Sequence, residues 1–182
     1  MAYQKLQSRD ALAVIPSDTV RIPDPSSVIN LIDGTTTAAD GVTKITVDQS
    51  VASTITAPAG TKFTEMGIQP GAIVYNETSS IAAYVTTVDS DTQLTVSVAT
   101  TGGATDVIYI YNRATIGCTL FVGVAGDIEV VMAENNGNVT VATTPGNYTP
   151  LFKGIANGSF LPLQVIQVYS TRTSSTDIIA LW

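Results

Sequence analysis

The sequence contains no histidine. Histidine is the side chain whose ordinary pKa lies nearest neutrality. Its absence removes the commonest general base, the Ser-His-Asp and Cys-His arrangements, and the usual transition-metal ligand. There is one cysteine, Cys118, so neither an intramolecular disulfide nor a cysteine-based metal cluster can form. It lies in Gly117-Cys118-Thr119-Leu120-Phe121-Val122, an apolar strand pattern, and reads as a buried structural thiol. Positive charge is scarce. Eight Lys and Arg stand against fifteen Asp and Glu, for a net charge of −7. Affinity for phosphate comes from clustered positive charge, so nucleic acid and anionic membrane surfaces are disfavoured partners. No run approaches the roughly 18 apolar residues that cross a bilayer. Met1-Ala2-Tyr3-Gln4-Lys5-Leu6 lacks the apolar stretch of a secretory signal, and the expected product is soluble and made in the cytoplasm. A phosphate-cradling glycine loop with its lysine is also missing, since Gly123-Val124-Ala125-Gly126 is too short and follows the wrong pattern.

What is present is mostly Thr, Val, Ile, Ala, Ser and Gly. β-branched side chains lose rotamer freedom in helices and suit a pleated sheet. The composition therefore predicts an all-β protein. Apolar residues make up 45%, enough for a real core, whereas charged residues make up only 13%. So few charges are unusual on a free monomer surface. Either much of the surface meets a partner, or Thr and Ser do the solvating.

The pattern along the chain predicts three regions. Residues 1–33 carry Pro16, Pro23 and Pro25 and read as an extended N-terminal arm, which would lie across a neighbouring subunit or strap its own domain. Residues 34–112 hold short alternating strands between turn residues, as expected of an inserted small β-barrel. In it, Gln69-Pro70-Gly71 has the chemistry of a type II turn. Asp89-Ser90-Asp91 reads as a tight hairpin link between strands at 81–88 and 93–98. Residues 113–182 alternate again, with Asn135-Asn136-Gly137 as a hairpin turn and an apolar strand ending at the single tryptophan, Trp182. The expected architecture is an antiparallel β-sandwich or barrel. It is built from the C-terminal half completed by the N-terminal segment, with the small barrel inserted.

Candidate sites are few. Asp89 and Asp91 flank a serine and could offer oxygens to Ca²⁺, although a plain hairpin turn explains them as well. Glu134 with Asn135 could do the same. Tyr75, Tyr84, Tyr109, Tyr111 and Tyr148 could stack on carbohydrate, and Tyr109 and Tyr111 share a strand face; core or inter-subunit packing is the plainer reading. No catalytic, cofactor-binding or metal-ligating set is assigned, and an enzyme is the least favoured class.

Two segments resemble structural proteins of tailed-phage particles. One is Gly-Cys-Thr-Leu-Phe-Val-Gly-Val-Ala-Gly-Asp-Ile-Glu-Val at 117–130. The other is Gly-Ser-Phe-Leu-Pro-Leu-Gln-Val-Ile-Gln-Val-Tyr-Ser-Thr-Arg-Thr-Ser-Ser-Thr-Asp-Ile-Ile-Ala-Leu-Trp at 158–182. Both are similar to head-spike base proteins of gene transfer agents and to capsid decoration proteins of marine phages. The stretch Ser-Asp-Thr-Val-Arg-Ile-Pro-Asp-Pro-Ser at 17–26 looks like the opening of such proteins. The likeness is discontinuous and leaves the middle region outside it. It implies a non-enzymatic protein of the virion, at the capsid surface, that decorates or cements the shell. The implied partners are the major capsid protein and copies of the chain itself, a trimer before a pentamer, with a head fibre as a further partner. A tail, baseplate or fibre-adaptor component is the alternative, as is a glycan- or receptor-binding module.

Overall fold

A computed structural model describes residues 8–29, 44–47, 53–99, 106–133 and 149–182. In chain order the strands are β1 (Ala11–Ala13), β2 (Lys44–Val47), β3 (Thr54–Thr56), β4 (Ile73–Asn76), β5 (Ile81–Ser90) and β6 (Gln93–Val96). They continue as β7 (Asp106–Tyr111), β8 (Cys118–Val124), β9 (Gly126–Met132), β10 (Leu151–Ile155), β11 (Ser159–Val168) and β12 (Thr176–Leu181). One short 3-10 turn, Pro25–Ser27, is capped by the Asp24 carboxylate, which accepts the Ser26 N–H at 2.9 Å. The protein is all-β, and its strands form two antiparallel six-stranded sheets.

The chain divides into two compact units. Unit 1 is Met1–Asp18 with Ile116–Trp182, and unit 2 is Thr19–Thr115. These boundaries differ from those the sequence pattern suggested. The expected arm at 1–33 is split, because its described residues serve both units. Residues 11–13 form β1 on β12. Residues 22–29 follow the end of β7, with Thr115 N–H donating to Ile22 O at 2.8 Å, Asp24 N–H to Arg113 O at 2.9 Å and Ile29 N–H to Ile110 O at 2.8 Å. An Arg113–Asp24 ion pair at 3.0 Å closes the same seam. The described part of the arm is thus a strap on its own chain, and the insertion runs from 19 to 115, not from 34 to 112.

Unit 2 has the strand order β2-β7-β4-β5-β6-β3. Among the described residues β2 and β3 do not pair, so this is an open sheet and not the closed barrel expected. β5 explains the shape. Ile81–Tyr84 pair with β4, whereas Val85–Ser90 pair with β6 through two register shifts. Such irregularities sharpen strand twist and let a sheet coil over its own face. Ile55, Phe63, Val74, Leu94, Ile108 and Ile110 belong to the single apolar cluster so formed. Each such side chain contributes about 1.5–3 kcal/mol through its removal from water.

Unit 1 has the order β1-β12-β8-β11-β9-β10. Period two on β8 sends Cys118, Leu120 and Val122 to a buried face. Ile178 and Ala180 of β12 sit beside Val122 and Leu120 in register, and Val165 of β11 sits beside Cys118. Along β11 the alternation breaks, and Val165, Ile166, Gln167 and Val168 are all buried. Register shifts on both sides of Val165 account for this. Buried Gln167 is satisfied by donating its Nε2 to Ser17 O at 2.9 Å. The expected turn at 135–137 lies outside the described residues.

Candidate interaction surface

The second face of the unit 1 sheet carries an apolar row. Register places Ala13 of β1 beside Ile179 of β12, Ile179 beside Phe121 of β8, and Phe121 beside Phe160 of β11. One side chain from each of four adjacent strands thus lines up in a row across the sheet. Directly paired residues on antiparallel strands project from the same face, so the row is continuous. Its members are not core. Ala13 is exposed, Ile179 and Phe121 are half-buried, and Phe160 is 63% exposed. Phe121 and Phe160 rest against each other with ring centroids 5.1 Å apart at 59°, a tilted pair that fixes both rings. Ala11 and Leu181, also paired and also partly open, extend the apolar surface along β1 and β12. The row carries no charge, and Phe160 is its one exposed large apolar side chain.

A polar clasp lies at the end of this sheet. The β11–β12 loop, residues 170–175, is bonded to three carboxylate residues. The Asp18 carboxylate accepts the N–H groups of Ser170 at 2.8 Å and Thr171 at 3.0 Å, and the Thr171 hydroxyl. Partial burial raises the Asp18 carboxyl, but the bonds from Thr171 and Ser170 outweigh it and hold the group below its ordinary value. Glu129, 3% exposed, accepts from Arg172 Nη1 at 3.1 Å and from the Thr149 hydroxyl at 2.7 Å. Asp127 O accepts the N–H groups of Ser174 and Ser175, and Asp127 N–H donates to Ser174 Oγ. This closeness depends on Gly126, where a Cβ would meet Ser175 N at 2.6 Å. These groups are occupied in holding the loop.

The other sequence candidates resolve into structural roles. The turn falls at Asp91-Thr92, one step later than expected, because β5 runs through Ser90. That separates the two aspartates by role. Asp89 accepts from Thr87 Oγ1 at 2.8 Å and Thr95 Oγ1 at 2.7 Å. Asp91 accepts from Thr64 and pairs with Lys62 at 3.5 Å; the Thr64 bond is the largest influence and lowers its pKa, desolvation opposes it, and the Lys62 charge lowers it further. Each carboxylate therefore serves its own neighbours, and among the described residues no group of three or more metal-binding side chains occurs. Glu134 and Asn135 lie outside the described residues, as does Tyr148.

The tyrosines gather more than the sequence suggested. Register puts Tyr75 beside Tyr109, and Tyr84 and Tyr111 on either side of Ile73, so all four share the face of the unit 2 sheet opposite its apolar cluster. They do not form an open stacking platform. Tyr75 and Tyr111 are each 4% exposed and meet edge to face with centroids 5.8 Å apart, and burial pushes the Tyr111 phenol up to about 12. The Tyr84 hydroxyl accepts the Arg21 N–H at 3.1 Å. Cys118 is buried with its thiol pushed up to about 12, and it donates to Val165 O. It has neither the access nor the acidity of a reactive thiol.

Sequence reading missed the apolar row because each strand contributes only one or two residues to it. The pairing of β12 with β8 brings them together, and no local pattern encodes that pairing. No family model matches the chain, and no curated protein or solved structure matches it either.

Proposed function

We propose that the chain is a non-enzymatic structural subunit of a tailed-phage particle, which decorates or cements the capsid surface through contacts with the major capsid protein and with its own copies. The observation that carries this reading is the row Ala13–Ile179–Phe121–Phe160, an uncharged apolar row on the open face of the unit 1 sheet. Its strands β8, β11 and β12 come from the two segments that resemble virion proteins, 117–130 and 158–182. The sheet edges offer less. β1 has three residues, and β10 carries exposed Lys153, a left-handed Gly154 and a register shift, devices that discourage edge-to-edge pairing. Contact through the face is therefore favoured over strand addition at a bare edge. A small row gives a modest contact, and many copies on a shell make it effective by avidity.

The compact unit 2, carried as an insertion with its own core, favours one second reading: an adaptor at the tail, baseplate or fibre attachment, in which unit 2 receives another protein. Copy number separates the two. Quantitative mass spectrometry of purified particles, referenced to the major capsid protein, is expected to give hundreds of copies for a shell protein. A few tens would move it to vertices or tail, and absence would refute the virion assignment. Phe160→Lys puts a charge into the row; it is expected to leave the fold intact and to abolish particle binding in a sedimentation assay.

A further inference from the structure

The β1 segment is bonded to its sheet differently from the other strands of unit 1. It is an edge strand of three residues, paired through Ala11–Leu181, Leu12–Ala180 and Ala13–Ile179. Arg9 N–H donates to Trp182 O, Trp182 N–H to Asp10 O at 3.1 Å and Val14 N–H to Ile178 O at 2.8 Å. Its inward anchors are half-buried Leu12 and buried Val14. Then comes Ile15-Pro16, where proline fixes its own φ and drives the preceding residue towards an extended conformation. Immediately beyond, the chain is pinned again. Ser17 N–H donates to Val168 O at 2.9 Å, Ser17 O accepts from buried Gln167, and the Asp18 carboxylate takes the N–H groups of Ser170 and Thr171. A short strand thus hangs from a stiff, extended link whose far side is fixed to the sheet.

We propose that copies of this chain exchange β1: residues 9–14 of one copy pair with β12 of a neighbour, with Pro16 as the pivot and Ser17–Asp18 as the fixed post. The β12 edge already accepts this sequence, so a donated strand makes the same contacts as the chain's own. Exchange then costs no interaction, and the balance is set by strain in the link and by concentration. Donation runs reciprocally in a pair or in turn around a ring. The apolar row survives it, with Ala13 supplied by the neighbour. The usefulness of the exchange rests on the reading of the chain as a many-copy subunit. Its test uses purified protein alone, so its outcome is separable from that of particle binding.

Ala11 and Leu181 offer the probe. The Val14–Ile178 bond and the alternation of an antiparallel ladder make Ala11–Leu181 a non-hydrogen-bonded pair, with Cα atoms about 4.5 Å apart. That is within disulfide reach. Cys118 is buried and does not compete. Full-length Ala11→Cys and Leu181→Cys copies are mixed at high concentration, oxidised mildly and run on a non-reducing gel. A band at twice the chain mass, present in the mixture and absent from either variant alone, is the expected result. The double variant, oxidised when dilute, is expected to close within one chain, which verifies the register. If it closes while the mixture gives no more dimer than each variant alone, exchange is overturned. If it fails to close, the pairing on which exchange depends is absent and the proposal falls with it.

Discussion

The two units solve the same problem in opposite ways. Unit 2 is one continuous stretch, and the middle of its sheet is local in sequence, with β4, β5 and β6 joined as successive hairpins. Its stability rests on a single apolar cluster with fully buried Phe63 within it. Unit 1 is assembled from stretches 98 residues apart, between Asp18 and Ile116, and its sheet places β12 between β1 and β8. It buries one face, leaves an aromatic row on the other, and holds its loops with carboxylates. The central hairpins of unit 2 pack around one apolar cluster. In unit 1 the pairing of β1 with β12 spans nearly the whole chain, adds loop-closure entropy and is accompanied by specific polar clasps.

The contrast can be broken from either side. The largest effect is expected at Phe63, where Phe63→Ala costs about 4 kcal/mol by emptying a closed core. Denaturant titration followed by amide exchange should show the loss in residues of unit 2. Next is the buried pair of unit 1. Arg172→Met leaves Glu129 buried without its cation and costs about 3 kcal/mol, the low end for such pairs because the Arg172 side chain is 34% exposed. A double variant that also carries Glu129→Gln should recover part of it in the same titration. Third, Gly126→Ala forces a Cβ against the backbone of residues 174–175 and costs about 2 kcal/mol, read as a lower thermal midpoint.

The smallest effect is the pH dependence of the Asp18 clasp. Its folded-state pKa is depressed, so its stabilisation is present above the ordinary value of 3.8 and is lost as pH falls through the lower folded-state value. The group is largely open to solvent, and screening keeps its contribution below about 1 kcal/mol. Asp18→Asn should remove that part of the acid dependence, measured as denaturation midpoints at pH 6 and pH 3, and leave the remainder unchanged.

The all-β character was legible because β-branched residues and turn chemistry act locally. The hairpin joining β5 to β6 and the apolar strand before Trp182 were found for that reason. The unit boundaries were not, because 19–29, with Pro23 and Pro25, reads only as part of an extended arm until it meets β7. The inward turn of Gln167 was hidden by register shifts on β11, which break period two. Nothing local marks Glu129 as buried, since its partners Arg172 and Thr149 lie 43 and 20 positions away. The clasp at Asp18 spans more than 150 positions. Hydrogen-bond partners at such separations leave no periodic trace.

The position of β12 also has a consequence for biosynthesis. Among the described strands β12 is made last, and it is the strand that joins β1 to β8. Unit 2 can therefore fold while the ribosome is still extending the chain, whereas Ala13 and Phe121 cannot be set in line until Ile179 has emerged. A chain stopped short of β12 does not display the assembled row, so the full contact surface forms only once that strand has been made.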